Sequence, residues 1–311
     1  MRARARDTRP EALAGLTDWD PAAQRRGFLS LCLVPALVVL VLVLVYPLFY
    51  NVFLSFSDAS IYRIRGWKFA GFEQYALVFT EPYFWITFSR TIVWTAASTL
   101  LQVGLGITLA VILHQNFLRG ASAWRILLLL PWAMPQYIMA LTWRGMFHGE
   151  HGAVNSFLGS AFGLPPVAWL TDASATFPAA VLVNVWMGFP FMMIVALAGL
   201  RSIPDSIYES ATLEGASPRW QFFHLTAPLL RPVMLPATTL GIIWNFNNLN
   251  LVWLFTNGGE PGGATHILVS YVYQTAFTYY RFGWSAALSV VIFLILFLFV
   301  QAFLQVNRWR R

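Results

Sequence analysis

The sequence predicts an all-α integral membrane protein with six transmembrane helices, and three observations carry that prediction. Of the 311 residues, 58% are hydrophobic and only 11% are charged, whereas a soluble domain is about 25% charged. Apolar runs at about 28–50, 86–114, 126–147, 177–200, 232–255 and 282–306 each reach the roughly 20 residues that a helix needs to cross a bilayer. None of the thirteen acidic residues falls inside a run, and Arg90, Arg144 and Arg281 lie at run ends on one side.

Residues 1–27 are a polar tail in which Arg2, Arg4, Arg6, Arg9, Arg25 and Arg26 are set against Asp7, Glu11, Asp18 and Asp20. The run at 28–50 outlasts a signal-peptide core of about 7–15 residues, and no small-residue cleavage site follows it, so it is expected to remain as an anchor. Cys32, the single cysteine, permits neither an internal disulfide nor a cysteine-based zinc site and is expected to pack. Pro131 and Pro135 in the third run and Pro190 in the fourth predict kinks, because proline leaves a helical carbonyl, Trp186 in the last case, without its donor. Residues 201–231 form a polar connection, the fifth and sixth runs complete one six-span domain over 28–306, and 307–311 is a basic tail. No repeat appears at a period of about 20–50 residues.

Lys and Arg set the orientation. With the N-terminus inside, fourteen basic residues fall on inner segments, including Arg119, Arg125, Arg201, Arg219, Arg231, Arg308, Arg310 and Arg311, against three outside, Arg63, Arg65 and Lys68. Both termini and the 201–231 connection are therefore expected in the cytoplasm. The net charge of +7 is explained by this bias, and no nucleic-acid partner is expected. The outer loops are aromatic and rich in Gly and Pro. One of them, Asn257–Gly263, lacks the lysine and hydroxyl of a phosphate-binding loop.

Several function classes are disfavoured. The only lysine, Lys68, sits in an outer loop, so no ATP-binding P-loop can be written and the chain binds no cofactor of its own. His114, His148, His151, His224 and His266 are scattered and supply neither a metal site nor an acid–base cluster, which speaks against an enzyme. An ion-coupled secondary transporter remains the rival, though such proteins usually place carboxylates inside spans.

Within the 201–231 connection, the stretch Tyr208–Phe223 is polar and aromatic. Pro204 and Asp205 suit a first helical turn, Gly215 a left-handed end, and Ser217-Pro218 a second start that Pro228 and Pro232 keep short. Helices that short need a surface to pack on. The pattern Glu209-Ser210-Ala211-x-x-Glu214-Gly215-Ala216, with Phe222, Pro228 and Pro232 in register, resembles the EAA loop of permease subunits in bacterial binding-protein-dependent ABC importers. Ser210, Glu214 and Ala227 are its mild departures.

The resemblance implies a type I importer permease fold in the bacterial inner membrane. It further implies a second six-span permease subunit, two copies of a cytoplasmic ATPase carrying the ATP and Mg, and an extracytoplasmic binding protein. In that family the loop docks on the ATPase. Carried over to this sequence, the docking residues are Glu209, Ser210, Ala211, Glu214, Gly215, Ala216, Trp220 and Phe223.

Polar residues inside spans mark sites by default. Gly241, Trp244, Asn245 and Asn248 in the fifth run recur at i, i+3, i+4, i+7 and share one helical face, and Asn184, Met187, Gly188 and Phe191 repeat that spacing in the fourth. Asparagine serves sugar hydroxyls as donor and acceptor, an aromatic ring covers a pyranose face, and glycine leaves room. Small residues and Asn equally hold helices together, and spacing alone leaves the two readings level. Val183–Met193, Phe246-Asn247-Asn248 and Leu254–Gly259 resemble the sugar-contacting permease subunit of maltose/maltodextrin importers, with similarity from about Pro131 to Val306.

By that resemblance, Asn184, Met187, Gly188, Phe191, Gly241, Trp244, Asn245 and Asn248 would contact an oligosaccharide. Phe191, Gly241 and Trp244 stand where that subunit often has Tyr, Ser and Phe. A different carbohydrate, such as trehalose, another glycoside or a glycerol-phosphate type, is the alternative cargo.

Overall fold

The computed structural model describes residues 21–63, 66–115 and 120–308; most of both predicted tails, with Arg65 and Arg119, lies outside these. Among the described residues the chain is helical, and the one strand-like feature is a single bridge between Ser57 and Phe69. Five helices are long and apolar enough to span a membrane, and a bent pair would make a sixth.

Residues up to Phe53 and those from Leu54 onward form two units. The first contains α1 (Pro21–Leu40), a π turn (Val41–Val45) and most of α2 (Tyr46–Leu54). Cys32, expected to pack, is exposed on α1; a helix apolar on all sides does not single out one face for burial. The π turn ends just ahead of Pro47, and its wide register carries the backbone past a residue that cannot donate.

The second unit is built on α4 (Pro82–His114), α8 (Ala173–Arg201) and α11 (Ala227–Phe246). α4 buries a small and polar stripe, Thr87, Thr91, Thr95, Ser98, Gln102, Gly106 and Ala110, at helical spacing. Small residues let backbones approach closely: a Cβ on Gly106 would lie 2.7 Å from Met192 Cβ and 2.8 Å from Met193 N on α8. The predicted kink at Pro190 does not break α8, which runs unbroken through Pro178 and Pro190. Its packing along α4 outweighs the lost hydrogen bond.

Between these long helices lie α5 (Ala121–Ala133) and α6 (Gln136–Met146). The third run, expected as one span over 126–147, is this pair, bent by 94°. Pro135 forces the break. The residue before a proline is pushed out of the helical region, and Met134 sits at φ −88°, ψ 145°. Pro131 is accommodated within α5.

The fifth run departs from expectation at both ends. α9 (Asp205–Leu213) ends before Gly215, and α10 (Pro218–Gln221) passes through a second π turn (Phe222–Thr226) into α11. The helix is continuous from Pro218 to Phe246, where a short, separate second helix was expected. As at Pro47, the π turn precedes a proline, here Pro228, and Ala227 N–H donates to Phe222 O. The same run then stops at Phe246 and restarts as α12 (Leu249–Phe255) with Asn248 as its N-cap.

The remaining helices are α3 (Glu73–Thr80), α7 (Ala153–Phe162), α13 (Leu268–Phe277) and α14 (Phe282–Arg308). Val78, Phe84, Phe246, Leu268, Trp284 and Leu288 join α3, α4, α11, α13 and α14 in one buried cluster. Near it, the loop before α13 is fastened to α4, since Gly263 O accepts from Tyr83 Oη at 2.6 Å and Arg90 Nη1 at 2.9 Å.

Candidate functional site

The breaks at Pro135 and Asn247 open a cavity of about 360 Å³ beside the α4–α8–α11 core. All eight cavity residues expected from the sequence line it: Asn184, Met187, Gly188 and Phe191 from α8, and Gly241, Trp244, Asn245 and Asn248 from α11 and the turn after it. Asn248 reaches the cavity by a different route than its spacing suggests. It caps α12, its Oδ1 accepting from Leu251 N at 3.3 Å, and so does not continue the α11 face.

An amide network forms one wall. Asn184 Nδ2 donates to Asn245 Oδ1 at 2.9 Å, and Asn248 Nδ2 donates to Asn184 Oδ1 at 2.9 Å. Asn245 Nδ2 donates to Thr99 Oγ1 at 3.0 Å and to Gln102 Oε1 at 2.9 Å. Gln136 Nε2, from the first turn of α6, donates to Asn248 Oδ1 at 2.7 Å. The main chain is tied in as well: Trp94 Nε1 donates at 2.9 Å to Asn245 O, one of the last carbonyls of α11, which lack helical partners.

Aromatic rings also line the cavity. Trp132 stacks on Phe191 with centroids 6.1 Å apart, and Phe191 meets Trp244 edge-on at 5.1 Å. Trp132 and Trp244 are each about half exposed and offer ring faces to an apolar surface. Among the described residues, none that lines the cavity is ionisable.

Two glycines play another part than leaving room for a ligand. A Cβ at Gly188 would lie 2.2 Å from Gln102 Nε2, and one at Gly241 would lie 2.4 Å from Met192 Cε; each accommodates a neighbouring side chain. The lining residues that the spacing pattern did not supply are Gln102, Pro131, Trp132, Met134, Gln136 and Met192. Gln102 and Gln136 carry the signal that marks the asparagines, an amide within or beside an apolar run.

The Tyr208–Phe223 stretch takes the expected local form. Gly215 sits at φ +83°, Gly215 N donates to Thr212 O at 3.0 Å and Ala216 N to Ala211 O at 2.9 Å, the paired bonds of a Schellman end. Ser217 Oγ caps α10 by accepting from Trp220 N at 3.3 Å. Gln221 Nε2 then ties α10 to Thr212 Oγ1 and Ala216 O. Ala211 is buried, Ala216 is half-buried, and Glu209, Ser210, Glu214, Gly215, Trp220 and Phe223 are exposed. Ser210, Ala211, Glu214 and Trp220 line a shallow depression of about 410 Å³.

His148 and His151 stack at 5.9 Å, and among the described residues no group of three or more His, Cys, Asp or Glu could hold a metal. His266 is buried against Gly259, with Ser270 Oγ 3.0 Å from its Nδ1. Burial pushes its pKa down to about 4, and the nearby Arg90 charge acts in the same direction.

Residues 102–311 match the family described as binding-protein-dependent transport system inner membrane component. The sequence is similar to the galactooligosaccharides transport system permease protein GanP of Bacillus subtilis, 35% identical over 270 residues that cover 83% of this chain and 65% of that protein. It is also similar to the maltose/maltodextrin transport system permease protein MalF of Salmonella typhimurium, 37% identical over 240 residues that cover 72% of this chain and 46% of that protein. The chain thus spans about two thirds or less of the length of these two relatives. A crystal structure of a bacterial ABC transporter involved in the import of the acidic polysaccharide alginate shares the fold, with a TM-score of 0.74 at 21% identity over 93% of this chain and 97% of that one.

Proposed function

This chain belongs to the family of binding-protein-dependent transport system inner membrane components, and from that premise we propose that it is the sugar-contacting permease subunit of an ATP-driven oligosaccharide importer. The observation that carries the proposal is the cavity, whose lining combines hydrogen-bonding amides with aromatic rings. An oligosaccharide presents hydroxyls in its ring plane and C–H surfaces above and below it, so it matches that combination. The volume lies within the range of about 300–1,000 Å³ usual for ligand sites.

Charge narrows the cargo. A phosphate or carboxylate group would enter a cavity without a cation to pair it, at a large desolvation cost. This favours a neutral oligosaccharide over the glycerol-phosphate type. Maltose or a maltodextrin is the cargo we assign, and a galactooligosaccharide is the neighbouring alternative; the names of the similar permeases support both.

The transporter would comprise this chain with its termini in the cytoplasm, a second six-span permease, two ATPase copies holding ATP and Mg, and an extracytoplasmic sugar-binding protein. ATP-driven closure of the ATPases would move the 209–223 stretch and, through the continuous helix beyond it, the amides of the cavity. This chain breaks no bond; its residues bind and couple.

The test is reconstitution with the three partner proteins and a panel of maltose, maltotriose, trehalose, galactotriose and glycerol 3-phosphate. Stimulation of ATP hydrolysis by the neutral oligosaccharides is expected. Stimulation by glycerol 3-phosphate alone, or uptake driven by a sodium or proton gradient without ATP, would overturn the assignment.

A further inference from the structure

The sugar reading rests on residues of α8 and α11, and the amide that meets both helices at once comes from α4. Gln102 is 3% exposed. Its Nε2 donates to Asn184 O at 2.9 Å and to Asn245 Oδ1 at 3.3 Å, while its Oε1 accepts from Asn245 Nδ2 at 2.9 Å. We propose that Gln102 is a positioning residue for the sugar site, fixing which way the asparagine amides face. The proposal rests on the sugar reading above and deepens it.

Hydrogen-bond capacity carries the inference. An asparagine amide offers two N–H groups and two lone pairs. Asn245 has spent all four: its N–H groups on Thr99 and Gln102, its oxygen on Asn184 and Gln102. It therefore has nothing left for a ligand while the network stands. Its orientation is dictated by Gln102, whose oxygen demands an N–H and whose nitrogen demands an oxygen; a flipped Asn245 would set donor against donor and acceptor against acceptor.

The orientation then propagates. With Asn245 fixed, Asn184 must present its nitrogen to Asn245 and its oxygen to Asn248, and Asn248 must present its oxygen to Gln136. The capacity left over is one N–H and one lone pair on Asn184, one N–H on Asn248, and the oxygen and one N–H of Gln136. These groups can meet sugar hydroxyls, and Gln102 decides where they point.

Gly188 supports the same assignment. Its missing Cβ is the space that Gln102 occupies, 2.2 Å from Nε2 and 2.5 Å from Cδ. Any side chain at 188 would therefore act on the site through Gln102.

The test uses the assembled transporter in nanodiscs and equilibrium binding of radiolabelled maltotriose, with galactotriose as a second probe. Gln102→Met keeps the length and cannot form the bonds. Gln102→Glu keeps the shape, and its protonated form recovers one donor. Weakening of binding by about tenfold is expected for Gln102→Met. For Gln102→Glu, binding relative to wild type is expected to recover as the pH is lowered; no other ionisable residue lines the cavity, so the wild-type profile provides the baseline.

A purely structural amide would lower thermal stability in both variants and leave affinity and its pH profile at wild-type values. That result overturns the positioning role, as does a pH-independent ratio for Gln102→Glu. If Gln102→Met fails to assemble, Gln102→Glu alone decides by its pH profile. Wild-type protein that binds neither probe would overturn the sugar reading and this proposal together, whereas wild-type binding with indifferent variants removes only the role of Gln102.

Discussion

Replacing Asn245 by alanine separates holding the helices together from holding a sugar. The side chain joins α11 to Thr99 and Gln102 on α4 and to Asn184 on α8 through four hydrogen bonds. Interhelical bonds in membrane proteins average about 0.6 kcal/mol each, so their loss amounts to about 2 kcal/mol. For a chain of 311 residues that corresponds to a fall in midpoint of about 3 °C, read by thermal unfolding of the purified complex in nanodiscs. Orphaned amides on Gln102 and Asn184 are expected to weaken maltotriose binding in parallel. A variant that keeps its midpoint and loses binding would refute this accounting, because the amide would then face the ligand rather than the network.

Three other perturbations probe separate parts of the chain. Gly215→Val places a branched residue at φ +83° at a cost of about 1–2 kcal/mol; a Cβ there meets nothing within 4 Å, so membrane insertion should persist while sugar-stimulated ATP hydrolysis falls, and normal stimulation would dismiss a docking role for the stretch. Gly106→Ala drives a methyl into the Met192–Met193 backbone and should cost about 1–3 kcal/mol, whereas Gly104→Ala, which meets nothing, should be neutral or mildly stabilising; equal midpoints for the two would contradict the close α4–α8 contact. His266 is held neutral, its pKa pushed down to about 4 against an open-loop value near 6.5, so its contribution of about 3 kcal/mol is complete above about pH 6.5 and is lost as the pH falls toward 4. Amide exchange in 257–266, corrected for the intrinsic pH dependence, should rise from pH 7 to pH 5 in wild type and lose that rise in His266→Gln.

The site was legible to the extent that polar residues stand out against apolar runs. Asn184, Asn245 and Asn248 could be read because two runs repeat one spacing. Gln102 shows the same contrast, yet the partners that give it meaning lie 82 and 143 residues away, and no local pattern records them. Trp132 lies beside Pro131, and its place in the cavity with the amides depends on the 94° bend two residues further on.

Prolines were legible as helix breakers, but their outcome depends on what surrounds them. Pro135 breaks a run, Pro190 is overridden by packing on α4, and Pro228 is absorbed by a π turn. The stop at Phe246 had no proline to announce it. It depends on Asn248 capping α12 and on Trp94 reaching the Asn245 carbonyl, both tertiary facts.

The π turn at Phe222–Thr226 also determines how motion travels through the chain. Had Pro228 severed the helix, Trp220 and Asn245 would be joined by a hinge, and a push at one end would dissipate in bending. The unbroken helix from Pro218 to Phe246 instead makes them two points on one helix, about 37 Å apart at the α-helical rise. A wide turn of five residues thus keeps an exposed tryptophan and a cavity amide on one helical element.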